Sequence, residues 1–456
     1  MLFNSIDFLI YLPLFFIGYF ILKSNLKAQN LFVLISSLIF YSFWDYRFLP
    51  LILVYIIADY YFGILIASQG IVKFRKGFLI LAITLNLLGL MFFKYFNFII
   101  EIINYTTSYI LDIKVINQNE IILPIGISFF TFHSISYLVD IYMRRVEPTK
   151  NFVAYASFVS FFPQLVAGPI SRAEDMLPKF LQKREIDSEK MSQGISQITL
   201  GFFKKIVVAD SIGLFVDGTF ASLDVMSDFQ ILLSVIFYSF QIYCDFSGYT
   251  DIALGLGKIF GIEFKTNFNR PYFSKNFSEF WDRWHISLSS WLRDYLYIPL
   301  GGNKLGKLIT FKNLLITMLI GGLWHGAKIN FIIWGFIHGI FLIGQRIIPI
   351  KLPNIFAVII TFVLTTFAWV FFRSPNLEDS LFIIQHILEM KSYQLLGVFA
   401  IIKIIYLILF LLFLDLFYFE YFNKYSTKAL IINTILFLHI ILFASFNNNG
   451  FIYFQF

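Results

Sequence analysis

Long apolar runs, punctuated by short polar ones, set the pattern of this chain. Uncharged and mostly apolar stretches occupy 8 to 22, 29 to 44, 77 to 93, 121 to 139, 151 to 171, 229 to 244, 313 to 327, 329 to 345, 352 to 372, and 429 to the end. Two more, 48 to 68 and 396 to 420, are interrupted by charge. A helix needs about 20 apolar residues to cross the hydrocarbon core, and fewer where neighbours shield it. The pattern predicts roughly 11 to 13 membrane segments in an all-α, polytopic protein. The long polar stretch 172 to 192, RAEDMLPKFLQKREIDSEKMS, has a helical pattern in Met176, Phe180 and Leu181 and predicts a connector carrying an interfacial helix. No soluble domain and no internal repeat is evident, so 1 to 456 is expected to be a single integral membrane domain.

Composition supports this reading. Apolar residues make up 58% of the 456 positions and charged residues only 14%, where a soluble domain carries about a quarter charged. The basic clusters Lys23 and Lys27, then Lys73, Arg75 and Lys76, then Arg144, Arg145 and Lys150, are placed on the cytoplasmic side by the positive-inside rule. The N-terminus then lies outside, on the periplasmic side, and a segment within 95 to 120 must lie in the interface without crossing. No cleavable leader is expected, because no basic region precedes the first apolar run. The net charge of +7 fits this bias beside anionic headgroups, not a nucleic-acid surface, which needs clustered basic residues on a soluble face. The single cysteine, Cys244, rules out an intramolecular disulfide and any CxxC site.

Between about 240 and 345 the plain pattern breaks. Polar residues, glycines and tryptophans crowd into YCDFSGYTDIALGLG, KTNFNRPY, FWDRWHISLSSWLRDYLYIPLGG (280 to 302) and GGLWHGAKINFIIWGFIHG (321 to 339). An ionisable group at mid-bilayer costs roughly 2.5 to 3.5 kcal/mol on insertion scales, so such residues usually face a bundle interior or an aqueous cavity. Six histidines are present. His133, His386 and His439 are expected to be satisfied core residues. His325, in LIGGLWHG, has Gly321 and Gly322 one turn before it and Gly326 after it, which suggests close backbone approach or a break that admits substrate. A buried imidazole tends to stay neutral, the form a general base needs. On a continuous helix Asp282, His285 and Ser289 share a face, and Asp282 would orient the imidazole. The same spacing fits an interfacial amphipathic helix with Arg283 and Arg293 paired to Asp282 and Asp294. His338 is explained by small-residue packing at Gly335 and Gly339. No HExxH, CxxC, GxSxG, phosphate loop or dinucleotide fingerprint occurs, so no metal and no bound cofactor is expected. Asp59, Asp140, Asp245 and Asp251 would suit an ion-coupled transporter, or would pair with nearby Lys or Arg.

These blocks resemble the membrane-bound O-acyltransferase family, in particular its bacterial branch for alginate and peptidoglycan O-acetylation. The likeness extends to LPIGISFFTFHSISYLVDIYMRR (123 to 145), SFFPQLVAGPISR (160 to 172), QIYCDFSGYTDIALGLGKIFGIEFKTNFNRPY (241 to 272) and the terminal FIYFQF. The resemblance implies a bundle of helices with shorter re-entrant or interfacial ones around a central tunnel. It implies His325 and His285 as the functional histidines. It also implies a funnel wall that positions substrate, with Trp281, Asp282, Arg283, Trp284, Ser289, Arg293, Asp294, Trp324 and Asn267 as its candidate residues. The implied reaction moves acetyl from cytoplasmic acetyl-CoA across the inner membrane to a periplasmic acetyltransferase partner, for O-acetylation of an envelope polysaccharide. D-alanyl transfer to teichoic acid is the neighbouring alternative within the family.

Overall fold

The computed structural model describes residues 1 to 111, 121 to 349, 352 to 417, 426 to 445 and 450 to 452. Among them every regular element is helical. Seven helical segments are long and apolar enough to cross a membrane: Leu26–Ser68, Val72–Ser108, Asp228–Ile259, Lys307–His325, Ile329–Ile347, Asn354–Arg373 and Val398–Phe417. The chain is a multi-pass membrane protein. Fewer segments qualify than the apolar runs predict, because several runs fold as shorter helices. The run 151 to 171 divides into Phe152–Ser160 and Phe162–Ala167, with Pro163 opening the second helix, and 121 to 139 yields the 16-residue helix Ile127–Tyr142. Proline suits the first helical turn, where its missing N–H costs nothing. The helix predicted within the polar stretch is Ala173–Leu181.

The chain divides into two compact units, Met1–Asp187 with Phe260–Phe264, and Ser188–Ile259 with Lys265–Phe456. In the first, His133 is a core residue whose Nε2 accepts the Ser171 N–H at 3.0 Å. Arg184, also buried, donates to Gln29 Oε1 at 2.9 Å and to the Asn30 side chain, so its charge lies among amide oxygens.

The second unit is organised on the 32-residue helix Asp228–Ile259, about 48 Å long at 1.5 Å per residue. The helix Ser188–Phe202 packs along it through facing glycines. A Cβ on Gly201 would lie 2.6 Å from the Gly248 carbonyl oxygen, and one on Gly194 would lie 2.6 Å from that of Gly255. Lipid-embedded helices gain affinity from such close backbone approach. A π-helical turn, Phe203–Ala209, then presents two successive lysines to the central helix: Lys204 pairs with Asp251 at 2.8 Å, and Lys205 with Asp245 at 2.7 Å and Asp210 at 2.8 Å. Cys244 is fully buried as a free thiol. His386 lies 2.7 Å from Asp228, and His439 bonds to the Tyr406 hydroxyl at 2.7 Å.

Candidate active site

The site is built in the second unit from an antiparallel hairpin, Lys307–His325 and Ile329–Ile347, and from the short helices before it. His325 is the last residue of the first arm and Gly326 is extended. The glycines have distinct uses. Cβ atoms on Gly322 and Gly335 would run into the carbonyls of Phe331 and Met318, and one on Gly326 would enter the Phe331 ring. These three set the close approach of the two arms around Phe331. A Cβ on Gly321 would meet only the Leu292 side chain, at 3.3 Å, and Gly321 borders an open space.

That space is a cavity of about 300 Å³, lined by His325, Gly321, Trp281, Asp282, Ser289 and Arg293, among others. The His325 ring meets Trp334 edge-on at 5.1 Å and Phe372 at 5.2 Å. Phe372 and Phe331 line a second, more polar cavity of about 400 Å³ with Lys205, Asp245, Lys328 and Arg373. The His325 side chain thus faces one cavity and rests on the wall of another.

Of the sequence candidates, Trp281, Asp282, Ser289, Arg293 and His325 share the first cavity; Arg283, Trp284, Asp294, Trp324, His285 and Asn267 are not in its lining. The spacing argument for His285 fails because the helix is broken. Phe277–Arg283 ends before it, Ile286–Leu292 begins after it, and His285 itself takes the left-handed conformation (φ 42°, ψ 54°). Asp282 and His285 therefore do not share a helical face. The partner of His285 is Asn267, whose Oδ1 accepts from His285 Nδ1 at 3.2 Å, the Ser287 N–H at 3.0 Å and the Ser287 hydroxyl at 2.9 Å. The expected Arg283–Asp282 pair is replaced by Arg283–Glu279 at 2.7 Å, one helical turn away, while Arg293 does pair with Asp294 at 2.8 Å.

The Ser287 N–H can only donate, so the Asn267 atom facing it is the oxygen, and His285 Nδ1 must then carry the proton. The basic lone pair of His285 lies on Nε2. His285 lies outside the candidate spans, and burial pushes its pKa down to about 3. Its ring reaches Trp324 at 5.8 Å, and Trp324 in turn meets His325 at 5.0 Å. Left-handed backbone at a non-glycine residue costs roughly 1 to 3 kcal/mol and clusters at functional sites.

Sequence reasoning missed three features. Arg346, at the end of the second hairpin arm, lines the first cavity with Arg293. The second cavity draws on Lys205 and Arg373, which lie outside the apolar runs and the polar blocks that the sequence marked. Neither ring nitrogen of His338 hydrogen-bonds to a described residue, although the ring is fully buried between Trp334 at 4.8 Å and Trp281 at 5.1 Å. Of the terminal FIYFQF block, Ile452 donates its N–H to Asp245 at 2.8 Å and Phe451 packs on Tyr249 at 4.5 Å; the rest lies outside the described residues.

The model of the membrane-bound O-acyltransferase family matches residues 8–373. The chain belongs to that family. This acyltransferase is 42% identical to a probable alginate O-acetylase AlgI of Pseudomonas syringae pv. tomato over 384 residues, 83% of this chain and 73% of that protein. It is 38% identical to a peptidoglycan O-acetyltransferase of Helicobacter pylori over 432 residues, 87% of this chain and 81% of that protein. A teichoic acid D-alanyltransferase of Bacillus subtilis is 31% identical over 232 residues, 48% of this chain and 58% of that protein. No group of three metal-ligating side chains is present among the described residues.

Proposed function

We propose that this acyltransferase takes acetyl from cytoplasmic acetyl-CoA and delivers it across the inner membrane for O-acetylation of an envelope polysaccharide, with His325 as the general base. The observation that carries the proposal is the place of His325, whose imidazole lines one cavity while its ring rests on Phe372, in the wall of the second. A donor in one cavity and an acceptor in the other would meet at this ring.

In the reaction, an acceptor hydroxyl gives its proton to an imidazole nitrogen of His325 as its oxygen attacks the thioester carbonyl. A C–O bond forms, the C–S bond breaks, and the thiolate takes the proton back from the imidazolium. Positioned proton transfer of this kind supplies about 10² to 10⁴ in rate, and alignment of the two substrates contributes the remainder. The first cavity has room for the slender thioester arm of the donor. Arg293 and Arg346 in its lining have the planar donors that match phosphate, so the nucleotide end would sit against them.

The relatives support the acetyl reading over D-alanyl transfer. Similarity to the O-acetyltransferases covers 83% to 87% of this chain, and to the D-alanyltransferase 48%. An extracytoplasmic partner that receives acetyl would dock on the periplasmic side, where the positive-inside reading of the basic clusters would also put the N-terminus. The deciding experiment replaces His325 and His285 separately with alanine in cells and measures envelope O-acetyl content alongside membrane protein level. Loss of acetylation at normal protein level supports the assignment. Unchanged acetylation in His325→Ala would remove it.

A further inference from the structure

Of the four aspartates singled out in the sequence, Asp59, Asp140, Asp245 and Asp251, three have a cation. Asp140 pairs with Arg145 at 3.3 Å, Asp245 with Lys205 at 2.7 Å and Asp251 with Lys204 at 2.8 Å. Asp59, on Leu49–Ser68 in the first unit, is fully buried among neutral groups: Asn86 Nδ2 donates to its Oδ1 at 2.7 Å, and the Ser134 hydroxyl also interacts with its carboxyl. A carboxylate buried without a compensating charge is strongly disfavoured.

Its surroundings are rich in oxygen. Asn86 Nδ2 donates also to the Ala82 carbonyl at 3.0 Å, which fixes the amide orientation and leaves Asn86 Oδ1 without a donor. The hydroxyls of Thr131, Ser134, Tyr137 and Tyr155 are likewise buried without a regular hydrogen bond to a described residue. They are close together. Ser134 stands beside both the Asp59 carboxyl and the Tyr155 phenol, the Tyr137 and Tyr155 rings are 4.7 Å apart, and Thr131 adjoins Tyr55, whose hydroxyl bonds to the Asn86 carbonyl at 3.1 Å. Four helices of this unit, Leu49–Ser68, Val72–Leu90, Ile127–Tyr142 and Phe152–Ser160, contribute these groups.

So many weakly satisfied oxygens around one buried carboxylate that has no cation beside it call for a ligand. Neutral oxygen donors with a single negative charge form a hard set that neutralises a charge of +1. Calcium sites use several carboxylates, and transition metals prefer nitrogen or sulfur ligands. We propose that Asp59, with Asn86, Thr131, Ser134 and Tyr155, forms an internal binding site for a small monovalent cation such as sodium. The ion would hold the four helices together, independently of acyl transfer.

The test uses the purified full-length protein in detergent. Thermal midpoints are compared in NaCl, KCl and choline chloride at one ionic strength. The midpoint is expected to rise saturably in NaCl, by at least about 3 °C over choline. Asp59→Asn abolishes the sodium dependence. Thr131→Val keeps the carboxylate and the side-chain shape, and it raises the half-saturating sodium concentration about tenfold, one oxygen ligand being lost. If Asp59→Asn does not fold, Thr131→Val alone carries the test. Equal midpoints in the three salts, or a sodium effect that survives in Asp59→Asn, overturn the proposal. So does a midpoint that follows pH between about 5 and 8 and ignores sodium, because Asp59 would then hold a proton.

Discussion

Asn267 holds His285 in a left-handed turn between two short helices. Its side-chain oxygen accepts from His285 Nδ1 at 3.2 Å and from the Ser287 N–H at 3.0 Å, and its carbonyl accepts the Ile286 N–H at 2.9 Å. One residue thereby sets both the backbone break and the imidazole tautomer. If the Nε2 lone pair of His285 serves the reaction, Asn267→Asp places a carboxylate against Nδ1 and favours the protonated ring. The pKa of His285 then rises from its burial-lowered value, and activity falls as pH drops through the raised value. A pH–rate profile checks this: wild type should lack that acid limb and Asn267→Asp should show it. An identical profile in both proteins would exclude a role for His285 in protonation.

His325→Ala should lower the turnover of acetyl-CoA in membrane fractions by about 10² to 10⁴ with the protein still present in the membrane. Thiol release from the donor is the direct assay. A loss smaller than tenfold would point to another base.

Arg293→Gln and Arg346→Gln should each raise KM for acetyl-CoA while leaving kcat within about twofold, since contacts with the nucleotide end are made equally in ground and transition states. Steady-state kinetics separates the two constants. An equal fall in kcat would place these residues closer to the reacting carbonyl than proposed.

Gly322→Ala should destabilise the hairpin by about 1 to 3 kcal/mol, because the added methyl meets the Phe331 carbonyl oxygen and must push the arms apart. Gly344→Ala, on the same hairpin, meets nothing and should be neutral or stabilising by up to about 1 kcal/mol. Thermal unfolding of both variants in detergent distinguishes a packing requirement from a general dislike of alanine.

Lys205→Met should cost about 3 to 5 kcal/mol, because it leaves Asp245 and Asp210 buried against each other without their shared cation. Adding Asp210→Asn and Asp245→Asn should recover part of that loss. Yield and thermal midpoint of the single and triple variants test the pairing. Equal destabilisation in both would mean that the charges matter less than the packing around them.

Much of this protein is readable one stretch at a time. Apolar runs of helical length, the glycines around His325 and the crowding of polar residues after 240 each carry a local physical signal, and several long blocks in order resemble one family. Spacing misled at His285. The pairing with Asp282 assumed an unbroken helix, and the break depends on Asn267, 18 positions away. Nothing in the run 280 to 302 itself announces it. Arg346 and Lys205 stayed unremarked because one end of a span and one lysine in an apolar stretch look alike whether they face a cavity or not.

The sequence by itself determined that the chain is a helical membrane protein, since burial in hydrocarbon follows from length and apolarity and needs no partner. It also singled out His325 as a candidate, because glycines beside an imidazole suggest close backbone approach or a break that admits substrate. Only the tertiary structure decided which charges are neutralised and which are left alone. Three aspartates found cations and Asp59 found oxygens, and that outcome depends on neighbours supplied by helices far apart in the chain.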